Sequence, residues 1–170
     1  MITFYRILSY ILLFFAFFLA LGVLMMLGLA FSNPAILFTL FIVTAVVLYS
    51  FSSYQFFRKG IQRGQSFKKS KKDFIKVNAY VALFFACINF IQSFTVILDP
   101  SLLSEMLKQV STIQQQTTGM SGDQLFTFIR ILLWVFLFYA LSLGAHIYFT
   151  FRFLKQYRGL FLDPQNESQL

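Results

Sequence analysis

Few residues in this chain have side chains that could do chemistry within apolar surroundings. Only Arg130 and His146 are ionisable and lie well inside long apolar runs, and no such run holds Asp or Glu there. A charged or titratable group in hydrocarbon costs several kcal/mol unless it is paired or wetted, so these two are the first candidates for function. His146 shares a helix face with Tyr139, Ser142 and Thr150, at spacings of three and four. Another apolar run has a matching face in Asn78, Ala82, Ala86, Asn89 and Ser93. Antiparallel packing of the two runs sets Asn78 level with Thr150, Ala82 with His146, Ala86 with Ser142 and Asn89 with Tyr139. This seam reads as helix-packing chemistry, in which small residues allow close approach and polar ones bond across it. The sharper alternative is a polar path with His146 as a proton relay. Arg130, near the outer end of its run, reads as a side chain that snorkels to headgroups.

What the chain lacks excludes several chemistries. One cysteine, Cys87, cannot form an intramolecular disulfide or a CxxC pair, so quinone-linked disulfide chemistry is ruled out. A single histidine cannot supply the two axial ligands of a b-type haem. Small multidrug exchangers need a membrane carboxylate, and membrane glutathione-type transferases need helix charges where this chain is apolar. No nucleophile with its base and no multi-ligand metal set is present, so the expectation is a protein with no cofactor and no enzymatic activity.

The elements that must position these residues follow from hydropathy. Of 170 residues 58% are hydrophobic and 12% charged, about half the charged fraction of a soluble domain, and the mean hydropathy is +0.73. Four runs reach the roughly 20 residues needed to cross a bilayer: about 4–31, 35–57, 77–98 and 125–151. Ser32-Asn33-Pro34 permits only a tight hairpin, with Ser32 or Asn33 as N-cap. Asp99-Pro100 stops the third run, and Ser121-Gly122-Asp123-Gln124 opens the fourth with capping-box spacing. Gly28-Leu29-Ala30 resembles a signal-peptidase site, but the apolar run before it is too long and carries one positive charge, so the first span is read as retained.

Charge sets the expected orientation. The stretch 58–76 holds Arg58, Lys59, Arg63, Lys68, Lys69, Lys71, Lys72 and Lys76 against Asp73 alone, which is nearly all of the net +8. Basic short loops stay on the cytoplasmic side, so this loop and both termini are expected there, and Arg152, Lys155 and Arg158 after the fourth run agree. These eight residues are candidates for contact with anionic headgroups, at about 1 kcal/mol each near the surface. Phe67 is the one aromatic between the charges and gives no stacking platform, so nucleic acid is not expected as a partner. In the outer loop, 99–124, Leu102, Leu103, Met106, Leu107, Val110 and Ile113 recur at helical spacing, as in an amphipathic helix. It reads as a lid over the helix ends or, alternatively, as a docking helix for a membrane partner, followed by a polar linker at 114–119. The fourth helix is expected to run on to about Arg158, and 165–170 to be disordered.

Phe56-Phe57-Arg58-Lys59, Gly64-Gln65-Ser66-Phe67 and Phe74-Ile75-Lys76 together resemble the central hairpin of small four-helix bacterial membrane families that have no assigned activity. The resemblance covers about a quarter of the chain and implies a bacterial cytoplasmic-membrane setting; the large outer loop departs from the families' plan. The sequence thus predicts an all-α, polytopic protein of four transmembrane helices in an up-down bundle, with an extracytoplasmic amphipathic helix between spans three and four. Its expected role is non-catalytic, through lipid contacts, a membrane-protein partner or a homo-oligomer; the alternative is a small transporter or channel subunit. Single cysteines at Ser70 and Gln115, in a chain with Cys87→Ser, should be labelled from opposite sides of the membrane by an impermeant maleimide. Labelling of both from outside intact cells would overturn the orientation.

Overall fold

The computed structural model describes residues 1–31, 33–99, 101–103, 105 and 122–162. About 90% is helical, and four helices are long and apolar enough to span a membrane. They are α1 (Ile2–Ala30), α2 (Ala35–Gln55, extended to Ile61 by a π-helical turn), α3 (Lys69–Leu98) and α4 (Gly122–Gln156). Their apolar side chains face outward as readily as inward: Phe14, Phe17, Phe18, Phe38, Phe41, Phe84 and Phe138 are each more than half exposed. A soluble core would draw these rings in, whereas a bilayer takes exposed Phe at no cost, so the exposure pattern agrees with a multi-pass membrane protein.

Residues 1–85 and those from 142 onward form one compact unit. Asn33 caps α2, its side-chain oxygen accepting the Ala35 amide at 3.1 Å, and Pro34 stands just before the helix. α1 and α2 then run antiparallel, with Tyr10 against Tyr54 and Tyr5 against Phe57. Leu12, Ala16, Val46, Ile75, Ala79, Ala82, Leu143 and Ile147 are buried in this unit. Ala16 uses its small side chain to pack, but Gly22 and Gly28 have open space where a Cβ would stand.

The basic stretch differs most from its sequence reading, which made 58–76 a loop and began the third span at about Val77. Phe56–Ile61 is a π-helical turn and α3 begins at Lys69, which leaves little irregular chain between them. Lysines are good helix formers, and with their heads in water they extend α3 beyond its apolar part. Gly64 makes the reversal at φ +67°, a left-handed conformation that favours glycine, while its amide donates to the Gly60 carbonyl at 2.8 Å and the Gln65 amide to Lys59 at 3.0 Å. After α4, a 3-10 turn (Arg158–Leu160) leads into Phe161–Leu162, a strand that pairs in parallel with Phe67–Lys68. α4 itself ends at Gln156, slightly before the expected Arg158. Phe67, isolated in the sequence, stacks on Phe161 at 6.0 Å, and Phe161 stacks on the buried Phe56 at 5.6 Å.

The second compact unit spans Ala86–Leu141. The Asp99 carboxylate accepts from the Ser101 amide and hydroxyl, as expected of a cap, and Leu103 is buried. A small cavity of about 100 Å³ is lined by Val96, Ile97, Leu103, Phe126, Arg130 and Leu133. Arg130 is exposed, which suits a snorkelling side chain. The rest of the expected outer amphipathic helix, the Ser121 cap and the expected disorder at 165–170 lie outside the described residues.

Gly60 lies where the hairpin and the tail meet. A Cβ there would lie 2.9 Å from Phe67, 3.2 Å from Phe56 and 3.4 Å from Leu160. Gly60→Val should therefore push the stack apart, at a cost of about 1–3 kcal/mol, and release the tail. Limited trypsin digestion at Arg158 should be faster in this variant than in the parent. Unchanged cleavage would show that the tail does not depend on this contact.

Candidate functional site

The polar residues of the first unit converge on His146, which is 1% exposed. Its Nδ1 lies 2.8 Å from the Tyr49 hydroxyl on α2, and its Nε2 lies 2.9 Å from the Ser9 hydroxyl on α1. One helical turn along α4, Thr150 Oγ1 is bonded to Tyr5 at 3.0 Å and to Tyr49 at 2.9 Å. The Tyr5 ring also stacks flat on the imidazole, with centroids 4.5 Å apart and 9° between planes, while the Tyr49 ring meets it edge-on at 5.7 Å. Tyr5, Ser9, Tyr49, His146 and Thr150 are all buried. α1, α2 and α4 are thus tied together in a single cluster.

Donor arithmetic assigns the protons. The Ser9 hydroxyl donates to the Tyr5 carbonyl at 2.8 Å, so it must accept from Nε2–H. A neutral ring then leaves Nδ1 as acceptor for the Tyr49 hydroxyl. The Thr150 oxygen accepts from Tyr5, and because the Tyr49 proton goes to Nδ1, the single Thr150 proton is shared between the His146 carbonyl and the Tyr49 oxygen, each at 2.9 Å. Each side chain answers another, and neither ring nitrogen of His146 is left for a ligand.

α3 and α4 meet, with Tyr80 against Phe151 at 5.3 Å, but His146 and Thr150 find their hydrogen-bond partners elsewhere. Their hydrogen bonds go to α1 and α2, and Asn78, expected beside Thr150, donates to the Phe74 carbonyl of its own helix at 2.8 Å. The partners are Ser9 and Tyr49, whose hydroxyls reach the two ring nitrogens, and Tyr5, whose hydroxyl reaches Thr150, whereas Ala82 has no group that could hydrogen-bond. Asn78, Ala82 and Ser142 are buried as the proposed faces require. Ala86, Asn89, Ser93 and Tyr139 belong to the second unit; Ala86, Ser93 and Tyr139 are buried there and Asn89 is half-buried. Tyr5 and Ser9 were legible as a polar pair four residues apart in an apolar run, and Tyr49 as a hydroxyl deep in another.

The basic residues surround the other notable feature of this unit. An open groove of about 510 Å³ is lined by Gln55, Lys59, Phe67, Lys68, Ser70, Lys71 and Phe74. Lys71 donates to the Gln55 side chain at 3.0 Å and lies 5.7 Å from the Phe74 ring, and Lys72 lies 5.8 Å from the Phe161 ring. Arg58, Arg63 and Lys69, also basic, are exposed on the same segment, and Lys76 is half-buried. Among the described residues no group of His, Cys, Asp and Glu could hold a metal ion.

No protein-family profile, curated protein or solved structure matches the chain.

Interhelical hydrogen bonds in membranes average about 0.6 kcal/mol and reach about 1.7. Tyr49→Phe removes its bonds to both His146 and Thr150 and should therefore destabilise the protein by about 1–2 kcal/mol, read by unfolding in mixed micelles. Ser142→Ala, a buried hydroxyl outside the cluster, should cost less, about 0.6 kcal/mol at most, the average for one interhelical bond. Equal effects would show that the hydroxyl cluster does not hold the helices.

Proposed function

We propose that the chain is a non-catalytic integral membrane component that works through contacts with lipid and with other membrane proteins or copies of itself, its basic end adhering to anionic headgroups. The observation that carries this reading is the assembly of one basic end: the π-helical turn, the parallel strand pair and the first turn of α3 bring Arg58, Lys59, Lys68, Lys69, Lys71 and Lys72 onto one segment. Like charges so placed repel one another, and a surface of lipid phosphates relieves that repulsion at about 1 kcal/mol per residue. The self-satisfied His146 cluster supports a structural core over a reaction centre or a transport path. The positive-inside rule places the basic end and both termini on the cytoplasmic side, in a bacterial cytoplasmic membrane on the resemblance above.

The test uses the full chain in nanodiscs. Hydrogen exchange of residues 58–68 should be slower in anionic than in phosphocholine discs. The difference should shrink at high salt and in a Lys68→Gln, Lys69→Gln, Lys71→Gln, Lys72→Gln variant. No difference between the two lipids would overturn lipid adhesion. Solute-dependent flux in proteoliposomes would instead favour a small transporter or channel subunit.

A further inference from the structure

Diffuse adhesion needs only charge, yet three of the lysines line one groove. Lys59, Lys68 and Lys71 border the space of about 510 Å³, in the size range of small-ligand sites, and among the described residues no acidic side chain lines it. The positive end of α3 is also there, because Ser70 and Lys71 lie in its first turn. Phe67 and Phe74 form apolar walls, and the bond from Lys71 to Gln55 at 3.0 Å holds one ammonium over the groove. Convergent ammonium groups, a polar amide and a hydroxyl beside aromatic walls suit a phosphate ester that has an apolar part.

The surface beyond the groove supplies that part. On α2, Phe51 and Leu48 follow Gln55 at successive turns toward the apolar middle of the helix and are 42% and 40% exposed. On α3, Phe74, Val77 and Phe84 follow the groove at helical spacing and are 42%, 63% and 51% exposed. From Phe74 to Phe84 the helix rises about 15 Å, half of a roughly 30 Å hydrocarbon core and so the depth of one leaflet. We infer that this groove is a discrete site for one anionic phospholipid, with its phosphate among Lys59, Lys68 and Lys71 and its acyl chain along the Phe51 and Phe74 stripes. The inference rests on the lipid-adhesion reading and sharpens it from a charged surface to a saturable site. A soluble phosphate ester shares the headgroup chemistry but would leave both stripes uncovered.

Native mass spectrometry of the full chain, released from a neutral detergent after titration with phosphatidylglycerol, distinguishes these cases. One anionic lipid per chain should be retained, and Lys59→Gln with Lys68→Gln and Lys71→Gln should weaken that retention by at least about tenfold. The charge-matched triple Arg63→Gln, Lys69→Gln and Lys76→Gln should keep it, as should a Lys→Arg triple at the three groove positions. Equal weakening by both Gln triples would overturn the discrete site and leave diffuse adhesion standing. No weakening by either would overturn both. Displacement of the lipid by millimolar inorganic phosphate would overturn lipid as the ligand in favour of a soluble phosphate.

Discussion

Hydrocarbon offers no hydrogen bonds, so the polar atoms of Tyr5, Ser9, Tyr49, His146 and Thr150 must be answered by one another. A neutral imidazole needs one donor and one acceptor in defined directions. Here these come from two different helices, Ser9 on α1 and Tyr49 on α2, while the ring itself belongs to α4. Apolar packing between Leu and Phe side chains in lipid tolerates rotation and sliding, because lipid tails are as good a neighbour as another helix. The cluster does not tolerate either. It fixes the rotation of the three helices, and the Tyr5 ring stacked on the imidazole fills the space that a displaced helix would need.

That fixed register carries outward to the basic end. Tyr5 meets Phe57 and Phe153 edge-on, so the end of α2 and the end of α4 share one aromatic neighbour. Beyond Phe57, α2 changes to a π-helical turn, which places both Phe56 and Phe57 in the interior. Ser50, Ser52 and Ser53 just before it donate to their own helix's carbonyls, competing with the regular backbone pattern at the point where the helix changes period. Phe56 then receives Phe161 from the tail, and Phe67 completes the stack.

Hydropathy made the helices legible because each apolar run is nearly unbroken, and Ser32-Asn33-Pro34 offered two candidate caps, of which Asn33 accepts the Ala35 amide. The polar face of α4 was also readable from spacing, and its Tyr139, Ser142, His146 and Thr150 are all buried. Periodicity states which face of a helix is polar; it does not state which neighbour that face meets. Span three offers an equally periodic face, which sets Ala82 level with His146, whereas Ser9 and Tyr49 show no repeating pattern and do not enter that pairing. Likewise, the pairing of Phe67 with Phe161 joins residues far apart in sequence through strands of two residues, too short for any alternation to register. Its only trace was the pair of phenylalanines set among charges.

The buried cluster and the basic end are linked by a balance of forces. A two-stranded parallel pair of two residues has almost no stability of its own, and the lysines around it repel one another. The aromatic stack supplies the opposing attraction, at about 0.5–1.5 kcal/mol for each ring pair beyond the area it buries. Because Phe56 is seated by the same helix ends that the His146 cluster aligns, the geometry of the basic groove depends on hydrogen bonds buried between α1, α2 and α4. A ligand that binds only the assembled groove would stabilise that assembly by mass action. On the proposed reading, anionic lipid is therefore more than a surface to which the protein adheres: by neutralising Lys59, Lys68 and Lys71 together, it weakens the repulsion that the aromatic stack opposes.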